Sequence, residues 1–88
     1  MNNDENKILV RIVLPMSGIA HDVKLLPILK IRDVVPTLIQ IFSQLHKDSL
    51  LLNNQPLLCL SETGEPLTDP DATIEECGIR DADILYLV

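Results

Sequence analysis

One amphipathic stripe constrains this chain more than any other feature. Ile31, Val34, Val35, Leu38, Ile41, Phe42 and Leu45 recur at three- and four-residue intervals, with Asp33, Thr37, Gln40, Ser43, Gln44 and Lys47 between them. At about 100° per residue the first set gathers on one side of a helix and the second set on the other. The spacing predicts a helix over 31–46 with an apolar face that it cannot bury alone. Pro36 falls on the polar side. With Asp33 as N-cap, Pro36 sits in the first turn, where a missing N–H costs little. With an earlier start it lies inside the helix, and a kink costing ~3 kcal/mol is expected.

The cover for that helix must come from its flanks. KILVRIVL (7–14) is rich in β-branched residues and suits a central strand with both faces covered. PMSG (15–18) is a turn signal, and IAHDVKLL (19–26) alternates around Val23 and Leu25 as a second strand ended by Pro27. After the helix, KDSLLLNNQ (47–55) connects to a short third strand, PLLCLS (56–61), and ETGEPL (62–67) turns into a brief fourth strand around Leu67. TDPDA (68–72) reads as loop. TIEE (73–76) has the form of a capping box, so one helical turn starts at Thr73 and ends at Gly78. DILYLV (83–88) is the final strand. A hairpin and one helix cannot close a core, so the later strands must complete the sheet. The expected class is α+β, a mixed four- to five-stranded sheet packed on one main helix, plus a short helical turn.

Eighty-eight residues leave room for one domain, read as a disordered lead-in over 1–6 and a single domain over 7–88. Hydrophobic residues make up 47% of the chain, which argues against disorder, and with one Phe, one Tyr and no Trp the core must be aliphatic. MNNDENK carries acids where a secretory signal has basic residues, and no apolar run reaches the ~20 residues of a membrane span. The expectation is a cytoplasmic protein without direct membrane insertion. The charge is uneven: residues 1–48 balance six cations against five acids, whereas residues 49–88 hold Arg80 against eight acids. Nucleic acid is excluded as a partner by the lack of clustered cations. The acidic half, above all 61–83, suits a basic protein surface or serves solubility alone.

Reactive chemistry is sparse. Cys59 and Cys77 form no CxxC motif and read as buried free thiols; a disulfide would be unusual in a reducing compartment. His21 reads as a solvated strand-end residue and His46 as a helix C-terminal one, neither beside a triad partner. Asp69, Asp71, Glu75 and Glu76 lack the glycine and spacing of an EF-hand loop. No catalytic, metal-binding or cofactor-binding residue is assigned, and the expectation is a non-enzyme.

The order of elements is that of the β-grasp. The stretch PLLCLSETGEPLTDPDATIEECGIRDADILYLV resembles the corresponding half of ubiquitin-like proteins: a strand, a Gly turn, a Thr-Ile opening a short turn, an Ile after it, an acidic pair and a Leu-x-Leu strand. CGIRDADIL, together with the hairpin, Leu-Pro and Lys-Ile-Arg-Asp-Val-Val at the helix start, resembles the small YukD/EsaB family associated with bacterial type VII (WXG-type) secretion. Pro36 departs from that pattern. The resemblance covers 7–88 and implies a ubiquitin-like fold, a cytoplasmic protein-interaction role and a secretion-machinery partner. Conjugated and sulfur-carrying members of this fold end in a mobile Gly-Gly tail. Here the three glycines are Gly18, Gly64 and Gly78 and the sequence ends Leu-Tyr-Leu-Val, so conjugation is not expected.

What remains is a surface. With Val10, Ile12, Val23, Leu25, Leu57, Cys59, Leu67, Ile74, Ile79, Leu85 and Leu87 facing the helix, alternation sends Leu9, Arg11, Val13, Leu58, Leu60, Ile84, Tyr86 and Val88 outward. These eight are the expected partner-binding residues, as one apolar patch around Arg11 and Tyr86, against a scatter of tolerated exposed aliphatics. Both faces are apolar, so a one-residue slip would exchange the two lists. The expected function is a non-catalytic accessory or regulatory module of a type VII secretion system, binding a protein partner or itself. The alternatives are a small subunit of a larger enzyme complex and a sulfur-carrier or modifier whose tail is missing.

Overall fold

The structure, a computed structural model, describes residues 6–88; the lead-in expected over 1–6 falls almost wholly outside them. β1 (Ile8–Leu14) and β2 (Ile19–Leu25) form an antiparallel hairpin in register from Ile8 opposite Leu25 to Leu14 opposite Ile19. The turn closes with the N–H groups of Ser17 and Gly18 both donating to the Leu14 carbonyl, and Gly18 takes φ +66°, a left-handed conformation that glycine adopts without a Cβ clash.

The helix α1 spans Ile31–Leu45 and buries Ile31, Val34, Leu38 and Phe42, a seam of three- and four-residue steps. Ile39 joins the packed face, while Leu45, expected there, is exposed beyond it. The helix begins earlier than an Asp33 cap allows. Lys30 is the N-cap, in extended conformation and without a side-chain cap bond. The orphan donors of the first turn are met by a loop instead: Ile31 N–H donates to the Ala72 carbonyl at 2.9 Å and Arg32 N–H to that of Pro70 at 3.0 Å. Pro36 therefore lies inside the helix, on its exposed side, where the Arg32 carbonyl loses its intrahelical donor. The helix runs through it without a break.

β3 (Leu58–Leu60) and β4 (Ile84–Leu87) pair antiparallel, β4 runs parallel to β1, and the sheet order is β2-β1-β4-β3. The brief strand expected around Leu67 is reduced to an isolated bridge between Cys59 and Pro66. The capping box at Thr73 forms as expected: Thr73 N–H donates to Glu76 Oε1 at 2.9 Å, and Glu76 N–H to Thr73 Oγ1 at 3.1 Å. A turn at Arg80–Asp83 then delivers β4 to the sheet. Arg80 N–H donates to Asp83 Oδ2, Ala82 N–H to the Leu9 carbonyl and Leu9 N–H to Asp81 Oδ1, with Ala82 at φ +71°. This is the β-grasp arrangement: one mixed four-stranded sheet wrapped on one helix.

The core lies between helix and sheet. Val10, Ile12, Leu14, Leu25, Leu58, Leu85 and Leu87 come from the strands, the four helix residues from above, and Ile74 and Ile79 from the capped turn. Here the third strand corrects the sequence expectation. Leu58 is fully buried and faces Leu87, and Leu60 is half-buried against the core opposite Leu85. Leu57, expected inward, is 42% exposed. The reason is a one-residue slip within PLLCL. Four of its five residues are apolar, so local alternation carries no signal, and the pairing with β4 decides the register.

Candidate interaction surface

The face of the sheet away from the helix is assembled by strand alternation. β1 contributes Leu9, Arg11 and Val13, and β2 contributes Ala20, Asp22 and Lys24 opposite them. β4 contributes Ile84 beside Arg11 and Tyr86 beside Val13. β3 adds Cys59 opposite Tyr86. The ladder continues one step further through reciprocal bonds between Leu57 and Val88, with N–H to carbonyl distances of 2.7 and 2.9 Å, so these two residues share the same face.

Six of the eight expected surface residues, Leu9, Arg11, Val13, Ile84, Tyr86 and Val88, are thus brought together on one side of β1 and β4. Leu58 and Leu60 are not among them. Leu57 and Cys59 take their places, and the physical signal for that exchange is the cross-strand partner rather than anything local in the third strand. Cys59 is nevertheless buried, opposite Tyr86 and bridged to Pro66, and burial pushes its thiol above the ordinary cysteine range. Leu9 and Ile84 are each more than two-fifths exposed, while Val13, Tyr86 and Val88 are half-buried by their neighbours. The face therefore offers apolar shoulders around one ion pair, Arg11 Nε to Asp22 Oδ1 at 3.2 Å, with both side chains about half exposed.

Two grooves border this face. An apolar groove of about 500 Å³ lies where the helix start meets β3, lined by Ile31, Val35, Pro36, Leu57, Leu58 and Leu67, with the Arg32–Asp71 ion pair near its rim. A more polar one of about 310 Å³ runs from Ile84 past Arg80 and Asp83 to Glu62. The acidic stretch 61–83 contributes exposed carboxylates along this side rather than on the sheet face itself. Near the capped turn, burial raises the Cys77 thiol, with the Asp69 and Glu76 carboxylates adding to the effect. Cys59 and Cys77 are both free thiols.

One histidine departs from expectation, while His46 stands at the helix C-terminus as expected. His21 lies in the middle of β2, on the helix side opposite Ile12, and is not a solvated strand end. Its ring rests against Phe42, and its Nε2 lies 2.8 Å from Nε2 of His46, the residue that caps α1. Among the described residues no three His, Cys, Asp or Glu side chains converge as a metal-binding set, and no helix is long and apolar enough to cross a membrane.

No protein-family profile matches the sequence, and no curated protein sequence does. Solved structures do. The EccD5 ubiquitin-like domain from Mycobacterium xenopi is similar with a TM-score of 0.74 at 23% identity, covering 93% of this chain and 92% of that one. The ubiquitin-like domain of the Mycobacterium tuberculosis type VII secretion protein EccD1 is similar with a TM-score of 0.72 at 15% identity, over 93% and 97%. A chain of the MycP5-free ESX-5 inner membrane complex is similar with a TM-score of 0.75 at 19% identity, over 94% of this chain and 21% of that one. The fold is ubiquitin-like, and the expectation of a ubiquitin-like β-grasp is met.

Proposed function

We propose that this protein is a non-catalytic ubiquitin-fold interaction module of a bacterial type VII secretion system, acting as an accessory or regulatory factor as the YukD/EsaB resemblance implies. It works in the cytoplasm and docks a cytoplasmic domain of the secretion machinery on the outer face of its sheet. The observation that carries this reading is the continuous face of Leu9, Val13, Ile84, Tyr86 and Val88 around the Arg11–Asp22 pair. A soluble domain rarely leaves such a face bare. Tyr and Arg at its centre are the residue types that most often dominate binding energy. The likeness to ubiquitin-like domains of EccD proteins, and to a chain of an inner membrane complex, supports the same class of partner. The excess of acids in 49–88 favours a partner with basic residues around an apolar centre.

The experiment is calorimetric titration against cytosolic domains of the secretion components encoded near the gene. Ile84→Glu, at a position 43% exposed, should leave the circular dichroism spectrum intact and weaken binding by roughly thirtyfold or more. A second copy of this chain is the competing occupant, and sedimentation of the wild type and of Ile84→Glu distinguishes it. A folded Ile84→Glu variant that binds and sediments as the wild type does removes the sheet face from the proposal.

A further inference from the structure

We infer that this protein pairs with a second copy of itself along the open edge of β2, two-fold symmetric about Val23, so that the two sheets run on as one. The sheet ends in β3 on one side and β2 on the other, and the fold treats these edges differently. The β3 edge is covered by its own chain: Leu60 N–H donates to the Glu65 carbonyl and Leu67 N–H to that of Leu58. The β2 edge is open. On β1, Leu9 and Arg11 turn their backbone groups toward β4, since Arg11 N–H donates to the Asp83 carbonyl and the Leu9 carbonyl accepts from Ala82 N–H. Backbone direction alternates along a strand, so Val10 and Ile12 are the residues that bond to β2, through Val23 and His21. Between them, Ala20, Asp22 and Lys24 turn their N–H and C=O groups away from the sheet, and all three residues are exposed. Among the described residues, no segment other than β1 pairs with the backbone of Ala20 or Asp22.

Open edges are usually blunted by a proline, a bulge or a repelling charge. β2 has no proline, and its register with β1 advances one residue for one from end to end, without a bulge. Its charges select a partner instead of repelling one. Two antiparallel strands exchange backbone bonds only where outward-turned residues face each other, which restricts the two-fold registers open to this edge. Centred on Asp22, the pairing sets that carboxylate against its own copy. Centred on His21, it sets Asp22 against Ala20 and carries Lys24 past the strand end. Centred on Val23, Asp22 of each chain faces Lys24 of the other, so opposite charges meet twice. A charge row then crosses the joint on the outer face, from Arg11 to Asp22, its ion-pair partner at 3.2 Å, and on to Lys24 of the second copy. On the helix side Val23, already packed against the core, meets Val23. The edge is thus complementary to itself, and this commits it to a second copy of the chain. One strand against one strand is a small interface, and the resulting dimer leaves Ile84 and Tyr86, two strands away, uncovered.

The test is sedimentation equilibrium of the full chain between about 5 µM and about 1 mM, with a dimer Kd expected on the order of 10–100 µM. Lys24→Asp sets acid against acid twice and should weaken association by roughly tenfold or more. Asp22→Lys combined with Lys24→Asp exchanges the signs and should restore it to within about threefold of the wild type. Ile84→Glu, on the outer sheet face, should leave it unchanged. Circular dichroism checks that each variant folds. Val23→Cys tests the register without touching a charge and carries the test if the charge variants unfold. Residues facing each other at a position without backbone bonds have Cα atoms about 4.5 Å apart, within the span of a disulfide. Oxidised glutathione should therefore link two Val23→Cys chains through position 23, located by peptide mass, whereas Ala20→Cys, facing Leu26 of the second copy, should not link through position 20. A wild type that stays monomeric at about 1 mM, a folded Lys24→Asp variant that associates as the wild type does, no link through position 23, or association lost in Ile84→Glu and kept in Lys24→Asp would overturn the pairing.

Discussion

Neighbouring leucines of the third strand should respond to substitution in opposite ways. Leu58 has no exposed surface and packs with Leu85 and Leu87 under the helix, whereas Leu57 is 42% exposed on the outer face. Truncating a fully buried leucine removes its transfer free energy and leaves a cavity, together costing about 2–5 kcal/mol. For Leu57→Ala less than half of that transfer term is at stake and no enclosed cavity forms, so about 1 kcal/mol or less is expected. A domain of this size has ~5–15 kcal/mol in total, so Leu58→Ala stays folded in water but is visibly weakened. With a urea dependence of about 1–3 kcal/mol per molar, a loss of about 3 kcal/mol lowers the unfolding midpoint by about 1–3 M. Aspartate sharpens the contrast. Leu58→Asp must also desolvate a carboxylate, a further penalty of several kcal/mol, and should not fold; Leu57→Asp should. Urea titrations followed by far-ultraviolet circular dichroism on all four variants decide the matter. If Leu57→Ala loses more than Leu58→Ala, or Leu58→Asp folds with a wild-type midpoint, the register between β3 and β4 is wrong, and so is every inside-outside assignment built on it.

Ala82 holds φ +71°, a left-handed conformation that costs an L-residue about 1–2 kcal/mol, and glycine relieves it at the expense of about 0.5–1 kcal/mol of unfolded-state entropy; Ala82→Gly should therefore raise stability by up to about 1 kcal/mol in the same titration. Pro36 withholds an N–H from the Arg32 carbonyl inside α1, so Pro36→Ala should stabilise the protein by about 1–3 kcal/mol, and a neutral or negative result would mean that the helix is built around the proline. The bonds from Thr73 hold the Glu76 carboxyl below the ordinary value of 4.5. A group depressed in the folded state contributes stability that is fully present above its unfolded value and is lost as pH falls through the folded one. Melting temperatures recorded from neutral pH down through this acidic window should fall more steeply for the wild type than for Glu76→Gln, which keeps the reciprocal capping geometry without the titration. Arg11→Ala removes an exposed ion pair and should cost folding no more than about 0.5–1 kcal/mol, leaving any loss of partner binding attributable to the face itself.

Much of this architecture is legible in the sequence, for a reason that can be placed on particular residues. The helix stripe reads clearly because Asp33, Thr37, Gln40 and Gln44 interrupt it on one side only. The capping box reads clearly because Thr73 and Glu76 act through bonds three residues apart. Its helix start does not read, because the donors of Ile31 and Arg32 are met by carbonyls of Ala72 and Pro70, some forty residues away. The histidine contact is invisible for the same reason: only the packing of β2 against the end of α1 brings His21 to His46.

The inside-outside error in the third strand and the proposed function share a cause. A strand whose outer face is polar announces its register by alternation, since a slip would bury charge. In β3 the outer residues Leu57 and Cys59 are as apolar as the inner residues Leu58 and Leu60, and folding alone does not require that. Along β1 the outer positions Leu9 and Val13 repeat the pattern, broken only by Arg11, whose charge is met by Asp22 across the hairpin. In β4 the outer set is Ile84 and Tyr86. Three strands thus keep apolar residues on the face that the core does not use, each raising the chance of misregister and self-association. The proposed function accounts for that cost, because a partner would cover the face. The prediction follows that polar replacement on the outer face, Ile84→Thr with Leu57→Thr, should raise solubility and leave stability within about 1 kcal/mol of the wild type while weakening partner binding. Loss of stability beyond that range, with binding intact, would mean that these residues serve the fold and not a partner.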